Sequence, residues 1–549
     1  MLAWLFIIAA VIFTIAYFTY GNFLSNRVYG LDDKNPTPAH TMQDGVDYVP
    51  APAPVLLGHH FSSIAGAGPI VGPIAATMAW GWLPAYLWIV VGSIFIGGVH
   101  DMSALVASIR HQARSIAELG TEYITSRAGF IFRLFIWLAL VYVVAVFINV
   151  AQITFNAKGV GGGVAMSALI YIILALIFGV LLYRMKQNLG VITTIFVILV
   201  YFSVWLGQKI PINLSPVAWD WILLAYVFIA SVTPVWILLQ PRDYLSSFLL
   251  YGAVLGGGLG ILIGGIAGKL PMQTPGFLGY HSSLGPMIPL LFVVIACGSI
   301  SGFHSLVGSG TTSKQLNKET DAQKVGYAAM LLEGMVAVIA MGTVAVLTKA
   351  GRAALSNNAA AIYGHGIGTF VHLFGIPLAL GSAFGMLALS SFVLTSTDTA
   401  TRLSRYVLTE LTGIKNRYLA TAITLILPAI LVFIKYTDPK SGKVLPVWKA
   451  MWPVFGATNQ LIAALVLFVV MVWLMKTNRK KYWAVPGIPA IFMAIITIWA
   501  LFSLIAKWGL GSIIGWAALV EVILAIWIFI EGIISVVNIY RSEGAANKA

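Results

Sequence analysis

The sequence predicts an all-α, polytopic membrane protein with about 15 transmembrane helices, some of them discontinuous. Three observations carry this reading. Of 549 residues, 59% are hydrophobic and 9% charged, where a soluble domain averages about 25% charged. Apolar stretches long enough to cross about 30 Å of hydrocarbon recur along almost the whole chain. Glycine and proline crowd into the middle of a few stretches, where they break helical backbone. The net charge of +14 fits cationic cytoplasmic loops and needs no nucleic acid. The single cysteine, Cys297, excludes a disulfide framework and a cysteine-cluster metal centre.

Spans 1 to 6 fall at residues 2–20, 55–80, 83–108, 130–155, 164–183 and 189–207. Spans 7 to 11 follow at 219–239, 245–267, 286–308, 325–347 and 369–397. Spans 12 to 15 are 418–434, 454–475, 485–506 and 513–537. Span 1 lacks a basic start and runs past signal-peptide length, so it is kept as a mature span. With the amino terminus outside and the carboxyl terminus in the cytoplasm, three inner clusters collect cations, the bias expected of a plasma or inner membrane protein. They are Arg110, Arg114, Arg127 and Arg133; Arg402, Arg405, Lys415 and Arg417; and Lys476, Arg479, Lys480 and Lys481. One outer loop, with Lys435, Lys440, Lys443 and Lys449, runs against the rule. Residues 110–129 mix charged with apolar positions and predict an interfacial helix on the inner side.

Span 2 contains GHHFSSIAGAGPIVGP, residues 58–73. Gly66, Gly68, Pro69, Gly72 and Pro73 predict an unwound segment at mid-membrane depth. Such backbone survives only inside protein or beside a wet cavity. Span 9 ends in CGSISGFHSLVGSGTTSKQ, residues 297–315, where Ser305–Gly310 echoes Ser63–Gly68. The two spans run in opposite directions, as paired broken helices do in inverted repeats. A weaker break in span 7, SVTPVWILLQPRDY, holds Pro234, with Gln240, Arg242 and Asp243 at its inner end. A five-plus-five inverted repeat of leucine-transporter type follows, in two parses. The contiguous parse takes 1–54 as an amino-terminal helix and loop, 55–208 as the first repeat and 209–405 as the second, with 406–549 peripheral. The interrupted parse moves the second repeat to 286–477 and treats 209–285 as inserted. The contiguous parse needs no insertion and is preferred at this stage.

A broken helix offers carbonyls at the end of one half and amide groups at the start of the next, suited to a small cation and a carboxylate respectively. The expected substrate contacts are His59, His60, Ser62, Ser63, Gly66, Ala67, Gly68 and Pro69 in the first break. In the second they are His304, Ser305, Gly308, Ser309 and Gly310. The expected coupling-ion ligands are Ala65, Gly66, Ser309, Thr311, Thr312, Thr395 and Ser396, with a bound Na⁺ as the one candidate cofactor and no metal centre. Ionisable groups at membrane depth cost about 2.5–3.5 kcal/mol each on insertion scales. His100 and Asp101, with Arg110 as a partner, and Asp398 therefore read as gate or proton-relay groups, and Glu333 as a weaker relay candidate. A single Ser or Thr more often bonds to its own helix than to a ligand.

No HExxH, GxSxG or phosphate-cradling GxxxxGK[ST] pattern occurs, so enzyme and ATP-driven readings are set aside. The stretches GHHFSSIAGAGPIVGPIAA, GSIFIGGVHDMSALVASIRH, VTPVWILLQPRDYL, CGSISGFHSLVGSGTTSKQ, SSFVLTSTDTATRLSRY and WPVFGATNQLIAA resemble signature stretches of the carbon starvation protein A family. The resemblance implies a place in the amino acid–polyamine–organocation superfamily and uptake of peptides or pyruvate under nutrient limitation. The sequence expectation is a symporter driven by H⁺ or Na⁺, with a channel, or a carrier of another small carboxylate or amino acid, as the alternative. Its partners are then the solute and the lipid bilayer; oligomeric state is not encoded legibly.

Overall fold

A computed structural model describes residues 1–437, 442 and 444–546. It is all-helical apart from one short antiparallel pair, Lys435–Thr437 with Val444–Pro446. Lys440, Lys443 and Lys548 lie outside the described residues.

The chain opens with α1 (Leu2–Tyr29) and then the pair α2 (Ala53–Ile64) and α3 (Gly68–Trp80), bent by 44° across a three-residue break. Next come α4 (Trp82–Arg110), α5 (Ile116–Tyr123), α6 (Ser126–Phe155), α7 (Gly161–Arg184) and α8 (Leu189–Lys209). A short α9 (Pro216–Val232) and a long α10 (Leu239–Ile266) lead to a second interrupted pair, α11 (Met287–Val294) and α12 (Gly302–Gly310). Then follow α13 (Gln323–Ala345), two shorter helices α14 (Lys349–Ala354) and α15 (Ala359–His372), and α16 (Leu378–Thr412). The remainder is α17 (Arg417–Phe433), α18 (Val447–Met475), α19 (Lys480–Trp508) and α20 (Ile513–Ala546).

Eleven of these helices are long and apolar enough to cross a membrane, and the bent pair α2–α3 makes a twelfth span. This differs from the fifteen expected. α9 and α17 are apolar but stop at 17 residues, and span 9 is split into two short pieces. Both short helices are bounded by chemistry that ends a helix. Ser215 caps α9 and Pro216 opens it, while Asn416 caps α17. Within residues 110–129 the structure forms one short helix, α5. It starts with an N-cap, in which Ser115 Oγ accepts from the Glu118 N–H at 3.3 Å.

Burial sorts the helices. The apolar core of α18 is wholly enclosed, whereas α1, α8 and α20 expose Trp4, Ile198 and Ile530 as an outward apolar belt for lipid. Around the centre, α6 runs along α16, α3 packs on α13, α12 on α4, and α2 on α10. One turn depends on glycine: Gly81 has φ +98° between α3 and α4, and a Cβ there would lie 2.4 Å from the Gly276 carbonyl.

Candidate transport site

The first break is a tight turn at Ala65–Ala67, where the Gly66 N–H donates to the Ile64 carbonyl at 2.8 Å. Pro69 then sits in the first turn of α3, where its missing N–H costs nothing. The glycines permit contact. A Cβ on Gly68 would lie 2.3 Å from Cys297 Sγ, and one on Gly72 would lie 2.5 Å from the Val294 carbonyl. The two interrupted spans therefore touch at their breaks.

The second break corrects the sequence expectation. It lies at residues 295–301, and Ser305, Gly308, Ser309 and Gly310 are helical residues of α12. The echo of Ser63–Gly68 misplaced it by about two turns. Gly310 serves close packing, since a Cβ would meet Leu403 at 2.0 Å. Ser305 and Thr311 bond back to the Gly302 and Val307 carbonyls of their own helix. What holds the true break is Asn459 of α18, which sequence reasoning missed. Its Oδ1 accepts from the Phe303 N–H at 2.9 Å, and its amide donates to Ser301 Oγ at 3.0 Å. Asn459→Leu strands the buried Phe303 N–H, and a loss of about 1–3 kcal/mol is expected, visible as a lower Tm in detergent.

Two buried ionic clusters flank the breaks. In the first, His59 Nδ1 lies 2.7 Å from Asp243 Oδ2, and Arg242 pairs with both Asp243 and Asp398. Tyr226 donates to Asp398 Oδ2 at 2.8 Å, and Gln240 donates to Gln315 at 2.7 Å beside His59. Ser62 Oγ donates to the Asp243 carbonyl at 3.1 Å. In the second, Asp101 bridges His100 Nδ1 at 2.7 Å and His304 Nδ1 at 2.8 Å. His304 Nε2 faces Glu333 Oε2 at 3.1 Å. Arg110 does not join this cluster as expected. It pairs with Glu319 at 2.8 Å, at the end of α4 and away from Asp101.

Between the clusters, His60 Nδ1 lies 2.8 Å from Thr312 Oγ1. Ser396 Oγ donates to the Ser63 carbonyl at 2.7 Å, and Ser63 Oγ lies 3.2 Å from Thr399 Oγ1. Thr395 is buried next to Ser396. The structure thus brings Ser63, Gly66 and Ser396 together, whereas Ser309 faces Ile116 and Ser108 on the other side of α12. The sequence showed Arg242 and Asp243 only as charges at the inner end of span 7, and nothing local pointed to His59, 184 positions away.

One cavity reaches the second break, and another lies at the carboxyl-terminal end of α12. The first, of about 390 Å³, is lined by Gly68, Val294, Cys297, Phe455 and Trp452, with Lys507 at its rim. Its lining holds no acidic side chain. The other, about 240 Å³, lies between Ser309, Gly310, Lys314, Tyr406, Glu118 and Glu410. Beside it, Asp47 Oδ1 pairs with Arg402 at 2.9 Å. Burial pushes the Asp47 carboxyl up, but Arg402, Arg405 and Lys314 outweigh this and hold it below the ordinary carboxylate range. A depressed folded value stabilises the protein above the unfolded pKa of about 3.9, and the gain disappears as pH falls through the folded value. Asp47→Asn should therefore lower Tm at neutral pH, with the gap from the parent closing in acid below about pH 4.

The family model for the carbon starvation protein CstA matches residues 1–367 and 352–500. The chain belongs to the CstA family. Among CstA relatives, the Escherichia coli "Peptide transporter CstA" is 32% identical, over 90% of this chain and 80% of its own length. The Bacillus subtilis "Peptide transporter CstA" is 29% identical, over 96% and 94%. An Escherichia coli "Pyruvate/proton symporter BtsT" is 29% identical, over 91% and 81%. Among solved structures, the Eremococcus coleocola manganese transporter aligns with 91% of this chain and 99% of its own, at 14% identity and a TM-score of 0.49. Membership in the CstA family and the apolar spans make this chain a multi-pass membrane transporter.

Proposed function

We propose that this CstA-family chain is a proton-driven importer of a small monocarboxylate of the pyruvate class. The observation that carries the reading is the start of α3 at Gly68, on the wall of an acid-free cavity of about 390 Å³. Pro69 has no N–H, and the Ile70 and Val71 N–H groups donate to the Ala67 carbonyl, so the Gly68 N–H and the positive end of the helix dipole are what this terminus offers a carboxylate. Lys507 at the rim favours an anion on the way in. A peptide would bring an ammonium group with no carboxylate to meet it. The name of the E. coli pyruvate/proton relative agrees with this choice, while the peptide label of most relatives makes a short peptide the second candidate.

The Arg242 cluster supports proton coupling. Two carboxylates, Asp243 and Asp398, face one guanidinium, and His59 touches Asp243 from α2. A proton on His59 balances the charge and couples the broken helix to α10 and α16. A Na⁺ reading rests on a separate observation, the Ser63 carbonyl beside Ser396 Oγ at the break.

The architecture we infer is the interrupted repeat of amino acid–polyamine–organocation type, with 286–477 mirroring 55–208 and 209–285 inserted. The matched pairings of α3 on α13 and α12 on α4, with α6 along α16, support it over the contiguous parse. With the amino terminus outside, the Lys507 cavity faces out and the Lys314 cavity faces the cytoplasm.

The test is counterflow of labelled pyruvate and labelled dipeptide in proteoliposomes. Pyruvate exchange alone is expected; dipeptide exchange alone overturns the substrate, and exchange of neither removes both. His59→Gln should keep pyruvate counterflow but lose accumulation driven by a pH gradient. Accumulation that follows Na⁺ and is abolished by Ser396→Ala would replace the proton reading.

A further inference from the structure

We propose that Cys297, His304 and Glu333 form a binding site for a divalent transition cation of the zinc class at the second helix break. The thiol, an imidazole nitrogen and a carboxylate oxygen all lie within 4.8 Å of one another. They come from three places: the break itself, α12 and α13. All three side chains are buried, and His304 and Glu333 are fully so.

The tautomer is set for ligation. His304 Nδ1 lies 2.8 Å from Asp101 Oδ2, and a neutral ring that donates from Nδ1 to this carboxylate turns an unprotonated Nε2 towards the cluster. A carboxylate behind a ligating histidine is the recurrent outer-shell partner of such sites. Nε2 lies 3.1 Å from Glu333 Oε2 without hydrogen-bond geometry, and neither Glu333 oxygen has a hydrogen-bond partner among the described residues. Orphaned donors and acceptors of this kind are costly in a dry interior and call for an occupant.

Charge points the same way. Asp101 and Glu333 contribute two carboxylates, His100 and His304 are the only bases touching them, and no lysine or arginine pairs with either among the described residues. With neutral imidazoles, the two carboxylates and the thiolate formed on binding carry three negative charges, of which a divalent cation offsets two. One sulfur, one nitrogen and one oxygen donor suit zinc-class ions better than Mg²⁺ or Ca²⁺, which prefer oxygen shells. Cys297 also forms part of the wall of the 390 Å³ cavity, which gives the ion an entry path and leaves an open coordination position facing it. Binding requires the thiolate, so each ion displaces the Cys297 proton to solvent.

This site stands independently of the substrate reading. The test uses the purified full-length protein, stripped with a chelator and titrated with CoCl₂. One Co²⁺ per chain is expected, with a thiolate-to-cobalt charge-transfer band that ZnCl₂ displaces. Cys297 is the only cysteine, so Cys297→Ser must abolish the band. His304→Gln and Glu333→Gln should weaken Co²⁺ binding at least tenfold. Asp101→Asn, acting through His304, should weaken it about ten- to a hundredfold while keeping the band. The exposed Asp44→Asn should change nothing. No band in the parent chain overturns the proposal whatever the variants do, as does unchanged affinity in monodisperse preparations of both His304→Gln and Glu333→Gln.

Discussion

Replacing Arg242 by Met should cost the folded protein about 3–5 kcal/mol, the range for removing one partner of a buried ion pair. Arg242 is fully buried and pairs with Asp243 on its own helix and with Asp398 on α16. Without it, two carboxylates stay in a dry interior, and among the described residues His59 is the one remaining base in contact with Asp243. The loss should appear as a large drop in Tm and a fall in monodisperse yield from detergent. Restoring neutrality with Asp243→Asn and Asp398→Asn in the Arg242→Met background should recover most of the stability, because the cost lies in the stranded charges and not in lost volume. An Arg242→Met protein as stable as the parent would show that the cluster is hydrated, and the proton-coupling reading would lose its basis.

Gly72→Val should abolish transport, whereas Gly308→Ala should leave it intact. A Cβ on Gly72 would lie 2.5 Å from the Val294 carbonyl and 3.2 Å from Ile295 Cα, so backbone must move to admit a side chain. Overpacking of this kind costs about 1–3 kcal/mol, and here it forces apart the two breaks whose contact defines the site. A Cβ on Gly308 would lie 3.9 Å from Leu105, an ordinary contact. Because glycine inside a helix is about 0.5–1 kcal/mol worse than alanine, Gly308→Ala should be neutral or slightly stabilising. Counterflow and Tm on both variants check the pair. The opposite ranking would return the second break to Gly308–Gly310.

This contrast also shows what was legible in the sequence. The long spans follow from hydrophobic length, and the break in span 2 follows from glycine and proline acting on the residues beside them. Both are local effects. The second break is not local. Residues 295–301 contain no proline, and their freed groups are held by Asn459, which is 156 positions from Phe303. Glycine density therefore pointed to Gly308 and Gly310, of which Gly310 packs tightly against Leu403 while Gly308 has room for a side chain. The ionic clusters were half legible. His59, His100, Asp101, His304 and Asp398 stood out as polar groups in oil, but their pairing joins α2 to α10 and α4 to α12 and α13, which no periodicity records.

The solitary sulfhydryl on the wall of the 390 Å³ cavity gives the native chain a built-in reporter. No background cysteines have to be engineered away before a membrane-impermeant methanethiosulfonate or a spin label is applied. Its rate of modification from either face of a sealed vesicle would time the opening and closing of that vestibule during turnover, and protection by solute would map occupancy without mutating any contact.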